Sequence, residues 1–286
     1  MLVNLNDVLK GAKKNRYAVG LFNTVNLEMA KGVIAAAEEL NSPVIIGTAE
    51  ILLPYSSLEE LAPMLIPMAE RAKVPVVLHF DHGLTAEQTV NAMNLGFTSV
   101  MYDCSTLPYE DNIKAVSDMV KLAHSQGVTV EGELGHVGAN ENASESASES
   151  ADEGDNSIYT DPKEAKAFAE ATGVDALAVA IGTAHGAYKS KPKLDINRLS
   201  QIAAETEVPL VLHGGSGLSD DDFRGTIAGG ISKVNIFTDI NAAAAKYAHD
   251  AYKDGCGMTD LMQGIANAVK EATMEKMRLF GSAGRY

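Results

Sequence analysis

The feature that most constrains the fold of this chain is a regular alternation of two patterns. Short apolar runs rich in β-branched residues are separated by segments of helical periodicity, and successive runs start 24 to 48 residues apart. This spacing predicts βα units on a parallel sheet. Eight such units in 286 residues predict an α/β fold, a single (β/α)8 TIM barrel over residues 1–286. The eight strand candidates are 17–23, 43–49, 75–83, 99–105, 128–134, 176–182, 209–215 and 233–239.

Several of the segments between these runs carry helix signals. Residues 27–40 place apolar side chains at helical spacing, and residues 258–280 predict a long final helix. Asp161 followed by Pro162 is typical of an N-cap and the first helical position. Ser219 precedes three aspartates, which favour the positive end of a helix dipole, so a further helix is expected to start there.

Charge and cysteine content narrow the function classes. The formal net charge of −15 makes nucleic acid or an anionic membrane a poor partner, while a small anionic substrate stays compatible with a local site. Cys104 and Cys256 are too few for a disulfide framework. No apolar run reaches the roughly 20 residues of a membrane span. These features predict a protein of the cytoplasm.

One interval departs from the regular pitch. Residues 138–157, after the fifth strand candidate, are acidic and rich in Ser and Ala. Such a composition cannot bury a core, and long loops in compact domains are usually lids or disordered segments. We therefore expect a long, mobile acidic loop, a flexible lid at the C-terminal face of the barrel, where active sites of this fold lie.

Three histidines fall at the carboxyl ends of different strand candidates. His82 lies in FDHG, His185 in GTAHG and His213 in LHGGSG. A barrel brings these strand ends to one mouth. Three imidazoles with an open fourth position are typical of catalytic zinc.

Three carboxylates belong to the same strand ends. Asp81 directly precedes His82 and is a candidate general acid or base, or alternatively an orienting partner of a metal-bound histidine. Strand alternation would send Asp81 and His82 to opposite faces unless the strand ends there. Asp103 and Glu133 are candidates for a secondary metal site or for holding the histidine ligands.

Two glycine-rich turns follow histidine-bearing strands, at Gly182–Gly186 and Gly214–Gly217. Glycines there let backbone N–H groups approach a phosphate, and the second turn leads into a helix N-terminus. Asn235–Thr238 ends the eighth strand candidate, so the two segments occupy the usual phosphate position of a barrel. Lys189 is a candidate cation for the same phosphate.

These motifs together resemble one family. AVGLFNTVNLE, FDHG, YDCS, EGELGHVG, YTDP, AIGTAHGAYK, LHGGSGLSD, KVNIFTD and FGSAGR cover nearly the whole chain in order. The chain resembles the class II, zinc-dependent ketose-bisphosphate aldolases, and more closely the tagatose-bisphosphate type. The resemblance implies reversible joining of dihydroxyacetone phosphate to an aldehyde by a homodimer or homotetramer.

The resemblance also implies roles for individual residues. His82, His185 and His213 would bind one catalytic Zn2+, and Asp81 would protonate the aldehyde oxygen during condensation. Glu141 on the lid would remove the substrate proton, with Glu145 as the alternative. A monovalent cation, Na+ or K+, would lie near the phosphate. The phosphate-binding residues would be Gly186, Lys189, Gly214, Ser216, Asn235 and Thr238.

The chain departs from the family pattern after NIFT. The next residues are Asp239 to Ala242, where members that take a bisphosphate often place a cation. This favours an aldehyde without phosphate, unless another basic residue such as Arg285 serves, including across a subunit interface. Lys233 begins the eighth strand candidate, so we expect it to face the end of the barrel away from the mouth.

Two other functions remain open at this point. One is a non-catalytic barrel subunit of an aldolase complex, which the retained set of Asp81, three histidines and a lid glutamate disfavours. The other is a zinc-dependent sugar-phosphate hydrolase on the same fold.

Overall fold

The structure, a computed structural model, describes residues 1–135, 137–139, 159–185 and 192–286. Its strands are β1 (Leu2–Val3), β2 (Val19–Asn23), β3 (Val44–Ala49), β4 (Val76–Gly83), β5 (Ser99–Tyr102), β6 (Thr129–Leu134), β7 (Gly138–Ala139), β8 (Ala176–Val179), β9 (Ala184–His185), β10 (Leu210–Leu212) and β11 (Ile231–Ile236). Its α-helices are α1 (Leu5–Asn15), α2 (Leu27–Glu39), α3 (Leu58–Arg71), α4 (Ala86–Asn94), α5 (Tyr109–Ser125), α6 (Pro162–Thr172), α7 (Ile196–Glu205), α8 (Asp220–Gly229), α9 (Thr238–Ala251) and α10 (Met258–Phe280).

Eight of these strands close into one parallel barrel. The order around the barrel is β2, β3, β4, β5, β6, β8, β10 and β11, and β11 pairs back onto β2. Each barrel strand lies at one of the eight runs identified in the sequence, which confirms the (β/α)8 barrel. The short pair β7 and β9 extends the mouth beyond β6 and β8.

Two helices begin at the capping residues that the sequence predicted. The Asp161 side chain accepts hydrogen bonds from the backbone N–H groups of Lys163 and Glu164, with Pro162 as the first helical residue of α6. Ser219 forms a capping box with Asp222 at the start of α8. The predicted long final helix is α10, and all three helix starts or spans are confirmed.

Inward-facing side chains divide the barrel interior into two parts. The lower part is apolar and includes Val19, Val77 and Val211, against which Leu5 and Leu9 of α1 pack as a plug at the N-terminal end. The upper part holds buried polar and charged side chains. Because side chains alternate along a strand, residues two positions apart on β4 or β6 both face the interior. The first of them lies in the lower part and the next in the upper part.

Lys233 corrects one expectation. It is the third residue of β11, fully buried, and its Nζ lies 2.7 Å from Asn235 Oδ1 on the mouth side. The prediction that it faces the far end of the barrel is wrong, because β11 starts two residues earlier than the sequence run suggested.

The predicted lid, residues 138–157, lies outside the described residues apart from the β7 backbone. Among the described helices, none combines the length and apolar character needed to cross a bilayer.

Candidate active site

The site begins with a local break at the end of β4. The β4–β5 register shifts between Phe80 and Gly83, and His82 adopts a left-handed backbone with φ of 43°. A bulge of this kind re-aims a side chain at a barrel rim. Asp81 therefore points inward in the normal alternation while His82 also reaches the mouth.

His82 and His213 meet at the centre of the mouth. His82 Nε2 lies 2.8 Å from His213 Nδ1, with the rings in an edge-to-face arrangement. The second nitrogen of each ring contacts a carboxylate: His82 Nδ1 lies 2.8 Å from Asp103 Oδ2, and His213 Nε2 lies 2.8 Å from Glu131 Oε1. A carboxylate behind each imidazole fixes its tautomer and ring orientation, as is usual for metal-binding histidines.

Asp81 is held by two amides. Its Oδ2 accepts a hydrogen bond of 2.8 Å from Asn23 Nδ2, and its Oδ1 accepts one of 2.9 Å from Asn235 Nδ2. The residue is 2% exposed. Both carboxylate oxygens are thus fixed at the floor of the mouth beside the histidine pair.

The donor set fits a divalent metal ion. Ligand atoms of Asp81, His82 and His213 lie within 4.8 Å of one another, as do those of His82, Asp103 and Glu133. Glu133 Oε2 lies 3.4 Å from His213 Nδ1 and accepts no hydrogen bond within the described part of the chain. A buried carboxylate oxygen that lacks a donor, beside two converging imidazole nitrogens, is what a metal ligand requires.

The protonation of this cluster reflects competing burial and charge. Burial opposes a charge on His82, but the neighbouring Asp81 and the hydrogen bond to Asp103 outweigh it and raise the pKa of His82 to about 9. Burial likewise opposes ionisation of Asp81, but His82 and Lys233 hold the pKa of Asp81 well below its usual range. Burial raises the pKa of Glu133 above its usual range.

A second layer of charge lies directly beneath. Lys233 Nζ lies 2.8 Å from Glu131 Oε2, and both side chains are fully buried. Burial raises the pKa of Glu131, but Lys233 and the hydrogen bond to His213 outweigh this and lower it to about 2. Burial and the same lysine lower the pKa of His79 to about 3, so this imidazole is neutral.

The candidate phosphate residues border the same mouth. Gly214 has φ of 63°, and a Cβ there would strike the backbone oxygen of Ala184, so only glycine fits this close approach. Ser216 is buried in the turn that follows, and Thr238 is the first residue of α9. Asn235 lies in the wall of the mouth, where its amide contacts Asp81 and Lys233.

His185 is placed by its backbone in β9. Ala184, the preceding residue, lies against Gly214, the residue after His213. The backbone of the third predicted ligand therefore runs beside the second. The roles predicted for Glu141, Gly186 and Lys189 fall outside the described residues.

The structure brings together Asp81, His82, Asp103, Glu133 and His213, which the sequence had selected from four different strand ends. Four contributors were missed: Asn23, His79, Glu131 and Lys233. A signal was present in part, because the spacing of two between Glu131 and Glu133 places both on one face of β6.

Arg285 is not part of this mouth within its own chain. Its guanidinium stacks over the ring of Tyr17, with 5.0 Å from Cζ to the ring centroid. Tyr17 precedes β2 and so lies at the N-terminal end of the barrel.

The comparisons with known proteins agree with this geometry. A family model described as "Fructose-bisphosphate aldolase class-II" matches residues 3–285. The chain is 38% identical over 290 residues to a fructose-bisphosphate aldolase of Staphylococcus epidermidis, covering 99% of both chains. It is 41% identical over 285 residues to a protein called YdjI of Escherichia coli K12, covering 100% of this chain and 99% of that one.

The fold comparison gives the same result. The crystal structure of the YdjI aldolase from Escherichia coli K12 has a TM-score of 0.86 and 37% identity, over 100% of this chain and 99% of that one. Sequence and fold therefore match across the full length of the relatives. The chain belongs to the class II fructose-bisphosphate aldolase family, whose members are metal-dependent carbon–carbon lyases.

Proposed function

We propose that this protein is a zinc-dependent aldolase that reversibly cleaves a ketose phosphate into dihydroxyacetone phosphate and an aldehyde. Membership of the class II fructose-bisphosphate aldolase family supports aldol cleavage of a ketose bisphosphate. The observation that carries it is the convergence of His82 Nε2 and His213 Nδ1 at 2.8 Å, each ring backed by a carboxylate.

In this proposal His82, His213 and His185 hold the metal ion. Asp103 orients His82, and Glu133 supplies an alternative ligand on the buried side, consistent with an Oε2 that accepts no hydrogen bond from the described residues. When bound, the metal supplies Lewis-acid polarisation of the substrate carbonyl. The low-dielectric floor of the mouth strengthens every charge interaction made there.

Two carboxylates move the protons. During cleavage Asp81 accepts the proton of the hydroxyl on C4 as the C3–C4 bond breaks, which releases the aldehyde and leaves the electron pair on C3. Glu141 then delivers a proton to C3, completing dihydroxyacetone phosphate. Burial opposes ionisation of Asp81, but His82 and Lys233 outweigh burial and lower its pKa. Asp81 is therefore the ionised carboxylate that cleavage needs.

The remaining assignments complete the proposal. The phosphate lies in the turn after β10 and against the N-terminus of α9, contacted by Gly186, Lys189, Gly214, Ser216, Asn235 and Thr238, with a monovalent cation beside it. The lid at 138–157 closes to exclude water. The aldehyde carries no phosphate, in keeping with Asp239 after the NIFT motif and with Arg285 at the far end of the barrel. We further propose a cytoplasmic homodimer or homotetramer.

The test is zinc binding and aldol cleavage by matched histidine variants. H213Q removes a ring at the centre of the mouth, whereas H124Q removes one that pairs with Asp175 at the N-terminal end. We expect H213Q to lose stoichiometric zinc and release of dihydroxyacetone phosphate from ketose phosphates, while H124Q keeps both. Unfolding curves for both variants check that the fold is retained.

Three outcomes would count against the proposal. Zinc binding by H213Q equal to that of H124Q would remove His213 from the metal site. A zinc-loaded wild-type protein that cleaves no ketose phosphate would favour the non-catalytic subunit. Release of inorganic phosphate from sugar phosphates would favour the hydrolase.

A further inference from the structure

The buried ion pair beneath the site calls for a physical explanation. Lys233 and Glu131 are both fully buried, with 2.8 Å between Nζ and Oε2. A buried ion pair gives weak net stability, because desolvation of both charges offsets their attraction. Apolar side chains would fill the same space without that cost, as Val19 and Val211 do on the neighbouring strands, where both pair in register with Lys233.

Lys233 determines which way the Asn235 amide faces. An ammonium group only donates hydrogen bonds, so the atom 2.7 Å from Lys233 Nζ must be the amide oxygen of Asn235. The amide nitrogen is then the atom that faces Asp81 Oδ1, at 2.9 Å. An amide turned the other way would place an oxygen against the Asp81 carboxylate, which is repulsive.

The same pair reaches the metal side of the site. Glu131 Oε1 lies 2.8 Å from His213 Nε2, so a proton on that nitrogen leaves Nδ1 directed at His82. One buried ion pair therefore contacts the two halves of the site, Asp81 through Asn235 and His213 through Glu131.

A second metal ion in this layer is the competing explanation. Ligand atoms of His79, Asp81 and Glu131 lie within 4.8 Å of one another. The Lys233 ammonium, 2.8 Å from Glu131 Oε2, already supplies the positive charge that these carboxylates need. Lys233 therefore already provides the cation of this layer, while His79 Nε2 accepts or donates no hydrogen bond among the described residues.

We propose that Lys233 is a positioning residue for the aldol reaction. Lys233 orients Asp81 through the Asn235 amide, while Glu131 balances the charge of the lysine. This rests on the proposed function, because it assumes that Asp81 handles the proton of the C4 hydroxyl. The proton at C3 is handled by a different group, so Lys233 matters for carbon–carbon bond cleavage and not for exchange at C3.

The experiment compares these two reactions in four variants. K233M removes the ammonium, and K233M/E131Q removes both charges while keeping an acceptor oxygen for His213, so the second variant avoids an unbalanced buried carboxylate. D81N is the reference. K13M is the control, since Lys13 donates to the backbone oxygens of Thr206 and Val208 at the N-terminal end.

The proposal predicts a split between the reactions. In K233M/E131Q, kcat for cleavage falls about 100-fold, as for loss of a positioned acid or base. Exchange into deuterated water of the proton on the hydroxymethyl carbon of dihydroxyacetone phosphate, which is C3 of the ketose, changes in rate by less than about threefold. The KM for the ketose phosphate also changes by less than about threefold. Zinc content, measured directly at saturating zinc, stays at the wild-type level, because the glutamine at position 131 keeps an acceptor oxygen for His213 Nε2. D81N shows the same split, and K13M shows none.

Two results would overturn the inference while leaving the proposed function intact. Cleavage at the wild-type rate in the double variant would show that Lys233 positions nothing. Cleavage, exchange and zinc content falling together would show a structural role only. Absence of both reactions in the wild-type protein would instead overturn the proposed function, and this inference with it.

Discussion

At the scale of single residues, the backbone of His82 decides whether the site exists. A left-handed φ at a non-glycine residue is uncommon and costs on the order of 1–3 kcal/mol. The surrounding contacts sustain it: Asp103 holds the ring at 2.8 Å, and Asp81 is fixed by two amides. The result is that two consecutive residues of one strand both serve the same mouth.

The contact between Asp103 and His82 gives a prediction at this scale. D103A leaves His82 Nδ1 without its carboxylate, so we expect zinc affinity to fall about 10- to 100-fold, as for other partners of metal-bound histidines. A competition titration against a chromogenic chelator measures this. The control is D111A, an exposed aspartate on α5. Equal affinities for the two variants would show that Asp103 has no such role.

At the scale of elements, the β3–β4 pair forms the floor under the site. Gly47 on β3 lies directly beside His79 on β4, and a Cβ at this glycine would strike the His79 backbone oxygen. The two strands can approach this closely only because residue 47 has no side chain. The positions of Asp81 and His82 depend on that pairing.

Two glycine substitutions test this element. G47A forces β3 away from β4, and we expect a loss of about 1–3 kcal/mol in unfolding free energy, as for overpacking. The rate of ketose phosphate cleavage should fall as well, because β4 carries Asp81 and His82. G225A, in the interior of α8 with only a distant contact to Ile196, should be neutral or stabilise by up to about 1 kcal/mol. Urea unfolding of both variants decides, and a G47A as stable as G225A would contradict the account.

The elements also show what the sequence could and could not predict. The eight strands, α6, α8 and α10 were predictable because periodicity and caps are local signals. The bulge at His82 was not, since it depends on how β4 pairs with β5. The depth of Lys233 was mispredicted because the strand candidate begins at residue 233, two residues after the start of β11. A lysine at the start of a strand is ordinarily exposed.

At the scale of the whole molecule, the barrel separates stability from chemistry. The lower interior is an apolar cluster sealed by α1, and the upper interior is a network of charges. A polar group buried without a partner is costly unless a ligand completes its hydrogen bonds. Glu133 at the mouth is such a group within the described part of the chain.

This separation predicts the effect of a change at the plug. L9A creates a cavity at the N-terminal end, and we expect a loss of about 2–5 kcal/mol in unfolding free energy. At 25 °C the folded fraction should keep the wild-type kcat and KM, because no described site residue contacts α1 in the apolar cluster. Denaturant unfolding and steady-state kinetics measure the two quantities. A changed KM with unchanged stability would contradict the separation.

The central claim is that the mouth binds a metal ion that makes the C3 proton of dihydroxyacetone phosphate removable. The most direct test is stereospecific exchange of that proton in deuterated water, with the protein as purified, with a chelator, and after zinc is restored. The account predicts exchange that stops with the chelator and returns with zinc. Absence of exchange in folded, zinc-loaded protein would contradict it.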